Sequence, residues 1–221
     1  MGAQLQLQGA SIVLRGHFNP AIFHPSWFAS HNLIRSQEAE SADVQIVHPD
    51  TAVFRAEWLQ VTVMRDRFQA LTAQEAYYEP LRDIVVGVLG LVNHTPLQSM
   101  GLNRDFHFRV ESLEARNNLG YRLVPRQDWD PVLKDPGMTR LIVKGKRPDE
   151  FRGYVQVEVA PSTLVEPGVY IQVNDHYELA DGTAAEARAH DAVQILGKAW
   201  NESTQRGLEI AKAIAELRGP K

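Results

Sequence analysis

Along this chain apolar residues alternate with polar ones in several stretches and recur every three or four residues in others. The first pattern predicts strands with one buried face, the second helices with one buried side. Residues 11–18 read as a strand through Ile12, Val13, Leu14 and Phe18. Pro25 suits a first helical turn, where its missing N–H would be unpaired anyway, and Trp27, Phe28, His31 and Ile34 follow at helical spacing. Residues 36–43 read as a polar loop, 44–47 as a short strand and 48–51 as a turn. Leu59, Val61 and Val63 alternate with Trp58, Gln60 and Thr62, so 53–64 reads as one strand with 67–71 as its hairpin partner.

A helix over 77–93 places Leu81, Ile84, Val85, Val88, Leu89 and Val92 on a broad apolar face and stops before Pro96. A strand over 104–110 carries Phe106, Phe108 and Val110, 113–124 is helical or irregular, and 127–137 is a loop. Strands are expected at 140–144, 154–160 and 169–174, the last extendable to 179. The polar stretch 144–153 reads as a hairpin tip. A long helix over 184–218 closes the chain, with Gly219 and Pro220 as its stop.

These elements predict an α+β protein whose antiparallel sheet carries its helices on one face. Two halves, 10–97 and 102–218, echo one another in order. His17-Phe18 is matched by His107-Phe108, and the run from Trp58 to Val63 by the run from Tyr154 to Val159. The apolar helical run from Asp83 is matched by the one from Asp191. The offset grows along the chain, as insertions in a second copy would produce. Two β-α-β-β-α halves in one domain are the expectation; chance similarity of short alternating strands is the alternative.

Composition narrows the classes. Hydrophobic residues at 44% are ordinary globular usage. The net charge of −4 counts against a dedicated nucleic-acid binder, which carries a basic excess. With no cysteine, disulfides, thiolate metal sites and cysteine nucleophiles are excluded. The first residues show no basic, apolar leader pattern. The longest apolar run, 84–92, is far short of the ~20 residues that span a bilayer. A cytoplasmic protein off the membrane is expected, and no cofactor or metal is called for.

Candidate chemistry is sparse. No phosphate loop, dinucleotide fingerprint, nucleophile elbow or helical histidine pair of the metalloprotease kind occurs. His17 and His107 could meet if the halves pair, as an acid and a base near neutral pH; structural packing is the bland alternative. The run Asn174 to Glu178 is the densest polar cluster, with Asp175 and His176 as candidates for a site and a hairpin turn as the alternative. If it is strand, Asp175 and Tyr177 face one way and His176 and Glu178 the other. Lys144, Lys146, Arg147 and Arg152 surround one loop and could grip phosphates, diluted by Asp149 and Glu150. Trp58 and Tyr154 are expected to face outward at matching places of the halves.

The closing helix has the sharpest periodicity, through Val193, Leu196, Trp200, Ser203, Gly207, Ile210, Ile214 and Leu217. Either it lies on its own sheet, or the part from Trp200 onward (Gly207, Ile210, Ile214 and Leu217 included) packs on another chain.

The segment from Leu59 to Phe108, through the stretch Leu59 to Phe68 and the run Gly90-Leu91-Val92-Asn93, resembles a sporadically distributed, uncharacterised family of bacterial proteins. That family pairs a strand and turn of the form V-Q-x-x-x-D-R-F with a following helix, then a G-L-x-Y-x-N strand, and ends on a long helix. Here the aromatic before the Asn is absent, and residues 90–92 read as helix. The resemblance implies no activity. It implies membership of an accessory bacterial system. Together the readings rank a non-catalytic binding or assembly protein first, with a protein partner or a second copy of the chain. An enzyme with a dispersed His/Asp site between the halves comes second, and nucleic-acid binding through the sheet face third.

Overall fold

In the computed structural model, which describes residues 2–179 and 184–217, the strands form one nine-stranded antiparallel sheet. They are β1 (Gln4–Gly16), β2 (Asp43–His48), β3 (Thr51–Arg55), β4 (Gln60–Met64), β5 (Arg67–Thr72), β6 (Leu97–Arg109), β7 (Leu141–Lys146), β8 (Gly153–Pro161) and β9 (Gly168–Glu178). Across the sheet the order is β2-β3-β4-β5-β1-β6-β9-β8-β7. The helices are α1 (Pro25–Ser30), α2 (Ser36–Glu40), α3 (Tyr78–Leu91), α4 (Leu113–Leu123) and α5 (Ala185–Ala215). The expected class, α+β with an antiparallel sheet, is the observed one.

Strand alternation sorts the side chains onto two faces. Ile12 and Leu14 of β1, Met100, Leu102, Phe106 and Phe108 of β6, and Ile171 and Val173 of β9 point to the helices and are buried. They form two clusters. One gathers α3 and the first part of α5 over β1, β4 and β5; the other sets Ala211 and Ala215 of α5 against Phe106, Phe108 and Ile171. The opposite face has no helix over it among the described residues.

Each half places its first strand beside its last, β1 beside β5 and β6 beside β9, and β1 and β6 meet at the centre. The next-to-last strands, β4 and β8, set Gln60 and Gln156 on the open face and Val61 and Val157 on the helix face.

Several boundaries differ from the sequence expectation. The single strand over 53–64 is a hairpin, β3 and β4, closed by a turn in which the Ala56 amide donates to the Leu59 carbonyl. The buried positions change from even (Ala52, Phe54, Ala56) to odd (Leu59, Val61, Val63) across that turn. The polar loop at 36–43 holds a helical turn, α2, where Glu38 accepts from the Arg35 amide at 2.8 Å. β1 begins at Gln4, before the expected start. Asn174 to Glu178 is not a turn but the end of β9. The Gly219-Pro220 stop lies outside the described residues.

Candidate functional site

The open face is polar because the central strands turn hydrogen-bonding residues away from the core. One row crosses eight strands: Arg55, Gln60, Leu71, Ser11, Asn103, Asn174, Gln156 and Lys144. Beside it runs Thr62, Gln69, Val13, Gly101, His176, Tyr154 and Lys146. A cleft of about 650 Å³ lies over the meeting of β5, β1, β6 and β9, between Arg67 and Gln69 on one side and Gln172 and Asn174 on the other.

Its floor is held by short polar contacts. Asn103 donates to Ser11 Oγ at 3.2 Å. Asn174 Oδ1 is shielded from solvent yet accepts no hydrogen bond. A Cβ at Gly101 would stand 3.1 Å from that oxygen, so glycine keeps the floor open. Arg67 Nε is likewise buried without an acceptor, although Arg67 donates through Nη2 to Gln69. An unmade hydrogen bond at a buried polar atom costs about 1–3 kcal/mol, so both atoms favour a hydrogen-bonding complement in whatever fills the cleft, water included.

At one end Asp105 accepts from the Tyr170 hydroxyl at 2.5 Å and from Gln172 Nε2 at 2.8 Å. Burial, and then this bond to Asp105, push the Tyr170 phenol far above its usual range. His107 shares a hydrogen bond with Ser162 Oγ at 2.8 Å and lies against the Tyr170 ring. Burial lowers its pKa against the opposing pull of Asp105. On the other side of the cleft His176 stacks on Tyr154 at 4.3 Å, and the Lys144 ammonium sits 3.5 Å above that ring. Burial lowers the His176 pKa too, against Glu178 and with help from Lys144 and Arg147. Both imidazoles are therefore biased to the neutral form.

The candidate acid–base residues do not converge. His17 follows β1 and donates its amide to the Pro96 carbonyl, whereas His107 pairs with Leu7 near the other end of β1. At about 3.3 Å per residue, ten residues of β1 hold the two histidines ~33 Å apart. The proposed pairing of the halves runs β1 against β6 antiparallel, which separates these histidines. His176 faces Gly101, six residues of β6 from His107, or ~20 Å. Asp175 is on the helix face, as alternation requires, only 1% exposed.

There Asp175 belongs to an ion network that no residue spacing along the chain marks. Arg206 of α5 donates to Asp175 at 2.9 Å and to Asp149 at 3.2 Å. Arg147 donates to Asp149 at 2.6 Å and to Asp175 at 3.5 Å, and its guanidinium lies 3.8 Å over the Tyr177 ring. Burial acts to raise the Asp149 pKa, but Arg147 and Arg206 outweigh it and hold the carboxyl below its usual value. The balance in the network joins the β7–β8 turn, β9 and α5. Arg147, with a side chain 2% exposed, is thus not available to phosphates, and Arg152 pairs with Glu178 at 3.6 Å. Of the four basic candidates, Lys144, Lys146 and Arg152 have exposed side chains, the two lysines on the open face.

A second buried cation, Arg104, points to the helices. It lies 4.3 Å from the Trp200 ring and 5.3 Å from Tyr78, and donates to the Asn103 carbonyl and to Thr204 Oγ1. Burial pushes its pKa down to about 10. Trp200, 2% exposed, is therefore filled by its own domain and not by a partner. Gly207 sits over Arg104, while Ile210 and Ile214 are half-buried against the Phe106 cluster. Of the expected interface residues, Leu217 alone is exposed among the described residues. Trp58 is also turned inward, stacked on Tyr77 at 4.6 Å and donating to Glu38 at 2.9 Å, because the β3–β4 turn redirects it. Tyr154 does lie on the open face.

Among the described residues no three His, Asp or Glu side chains gather closely enough to hold a metal ion, and no helix is long and apolar enough to cross a membrane. No protein-family profile and no curated protein matches the chain.

Proposed function

We propose that this chain is a non-catalytic binding protein that receives a polypeptide segment on the open face of its sheet. The observation that carries the reading is the row of amides and a hydroxyl on the helix-free face, from Gln60 past Leu71 to Ser11, Asn103, Asn174 and Gln156, with Ser11 and Asn103 at the floor of the cleft. Amide side chains donate and accept at once, as peptide groups do. A cleft of about 650 Å³ takes a short extended stretch of chain. The middle of the row is uncharged, the cleft walls carry Arg15 and Arg67 against Asp105, and Lys144 and Lys146 stand at the margin, a mixed balance that fits a polar segment better than a phosphate polymer. The separation of His17, His107, Asp175 and His176 weakens the dispersed-site enzyme. The shared connectivity of the halves supports a duplicated sheet as the platform, and the resemblance over residues 59–108 supports an accessory bacterial system as its setting.

The test is photo-crosslinking in cells that carry the protein natively. A benzophenone side chain is placed at Gln69, at Gln156, or at Lys198 on the exposed side of α5. Discrete polypeptide adducts at the first two positions and none at Lys198 are expected. Equal adducts at all three, none at the sheet positions, or adducts that nuclease removes would each refute the reading.

A further inference from the structure

The sheet has two ends, and they differ. Both β2 and β7 are edge strands, whose outward backbone N–H and C=O groups lack a ladder partner and form a template for another strand. In β2 the pairing with β3 is broken by a register shift between Val44 and Ile46, the kind of bulge that blunts an edge. In β7 the pairing with β8 is regular from Leu141 to Lys146, with no bulge and no proline.

Both edges expose apolar residues, Val44, Ile46 and Val47 on β2 among them, but the unbulged β7 edge also runs beside an apolar groove. Ile142 is 47% exposed and Val143 55%, on opposite faces of the strand. On the helix side, the segment before β7 exposes Trp129, Val132 and Leu133, the second of them 72% exposed. A groove of about 390 Å³ runs there between Tyr121, Trp129, Leu133, Met138 and Leu141. Single exposed hydrophobes are ordinary, but four large ones (Ile142, Val143, Trp129 and Leu133) on and beside an open backbone edge are the combination found where a strand is added from outside.

Charge selects the occupant. On the open side β7 presents Ile142, Lys144 and Lys146, preceded by Arg140, and the strand contains no acid. Arg140 is paired with Glu158 of β8. Lys144 and Lys146 point the same way and have exposed side chains. In a two-fold pairing of β7 with β7 of a second copy, residues on one face meet residues on that same face. Within residues 140–146 every such register sets Lys144 and Lys146 opposite themselves, one another, Ile142 or Arg140, and none brings them an acid. Like charges placed opposite on a sheet are destabilising.

We propose that β7 is a strand-addition site for an extended segment of a different protein. That segment is apolar on the side facing Leu141, Val143 and the Trp129 groove, and carries carboxylates opposite Lys144 and Lys146. This site lies at the sheet's end, apart from the cleft at its centre, and stands whether or not the open face binds a polypeptide.

The probe is a short capped peptide alternating valine with glutamate, titrated into the isotopically labelled full chain and followed by the amide signals of residues 141–146. A second peptide has lysine in place of glutamate. The glutamate peptide is expected to shift the β7 amides and the Trp129 indole signal and to bind about tenfold or more tighter than the lysine peptide, the preference shrinking as salt screens it. The Lys144→Glu/Lys146→Glu variant changes exposed side chains only, so its fold is retained, and it should reverse the preference. Val143→Pro should abolish the shifts. Equal binding of the two peptides, or no shift in β7, overturns the proposal. So does a full-length dimer in which β7 amides are already protected and that Val143→Pro converts to monomer, because the occupant would then be a second copy.

Discussion

Gly207 shows what one side chain decides. A Cβ there would come 3.1 Å from Cγ and 3.3 Å from Cβ of Arg104, so α5 lies close over a buried arginine at this point. Arg104 in turn is fixed between Trp200 and Tyr78 and cannot swing aside without losing its bonds to Asn103 and Thr204. Gly207→Ala gains helix propensity of up to ~1 kcal/mol against that tight contact, and should melt close to the parent. Gly207→Val adds two methyls beyond the alanine Cβ, with nowhere to go, and should cost about 1–3 kcal/mol, the usual range for overpacking. Urea denaturation of the three proteins measures the difference. If valine were tolerated as well as alanine, α5 would not rest on Arg104, and the glycine would be free to serve a partner helix.

At the scale of elements the same contact predicts what α5 is for. Its buried positions run Ala192, Leu196, Trp200, Ser203, Gly207, Ala211 and Ala215. They cover the sheet from the α3 side to Phe106 and Phe108. A chain ended after Ala199 loses the Trp200 cap on Arg104, the Arg206 partner of Asp175, and the cover over Phe106. Breaking a buried ion pair by removing one partner alone costs about 3–5 kcal/mol, and folded domains have only about 5–15 kcal/mol in hand. The truncated protein should lose its near-ultraviolet circular dichroism and aggregate in light scattering; a folded, monodisperse truncation would show that the far end of α5 is not core. The periodicity of α3 was plain in the sequence because one face is continuously apolar, and that of α5 because its stripe keeps helical spacing through the interruptions at Ser203 and Gly207. The β3–β4 turn was hidden because Leu59, Val61 and Val63 kept alternating on the far side of it, and only the change of phase after Ala56 marks it. The polar face of the sheet was half-legible. Gln60, Gln156 and Asn174 stand in alternating strands, but which strands lie side by side depends on pairing across the whole chain. The Asp175–Arg147–Arg206 network was not legible at all, since its members come from three elements and only alternation set Asp175 apart from His176.

The whole molecule depends on the seam between β1 and β6. These two long strands pair from Gln4 and Arg109 to Gly16 and Leu97, and the largest core cluster takes Ile12, Leu81 and Val85 from the first half with Ala192, Leu196 and Trp200 from the second. A half freed of the other would expose the full length of β1 or β6 as an unpaired edge, together with the faces of α3 and α5 that meet. Two strands of that length with apolar residues on one side are a hazard for association rather than a stable margin. Fragments split between Asn93 and His94 should therefore be unfolded or aggregated when made separately, and should form a one-to-one complex with the amide dispersion of the intact chain when refolded together. The binding readings need this cooperativity, because the central cleft is built from β5 and β1 of one half and β6 and β9 of the other. A first half that folded alone, with sharp signals and monomeric mass, would mean that the cleft straddles two independently stable units. Its floor at Asn103, Ser11 and Asn174 would then be set by their association and not by a single folded core.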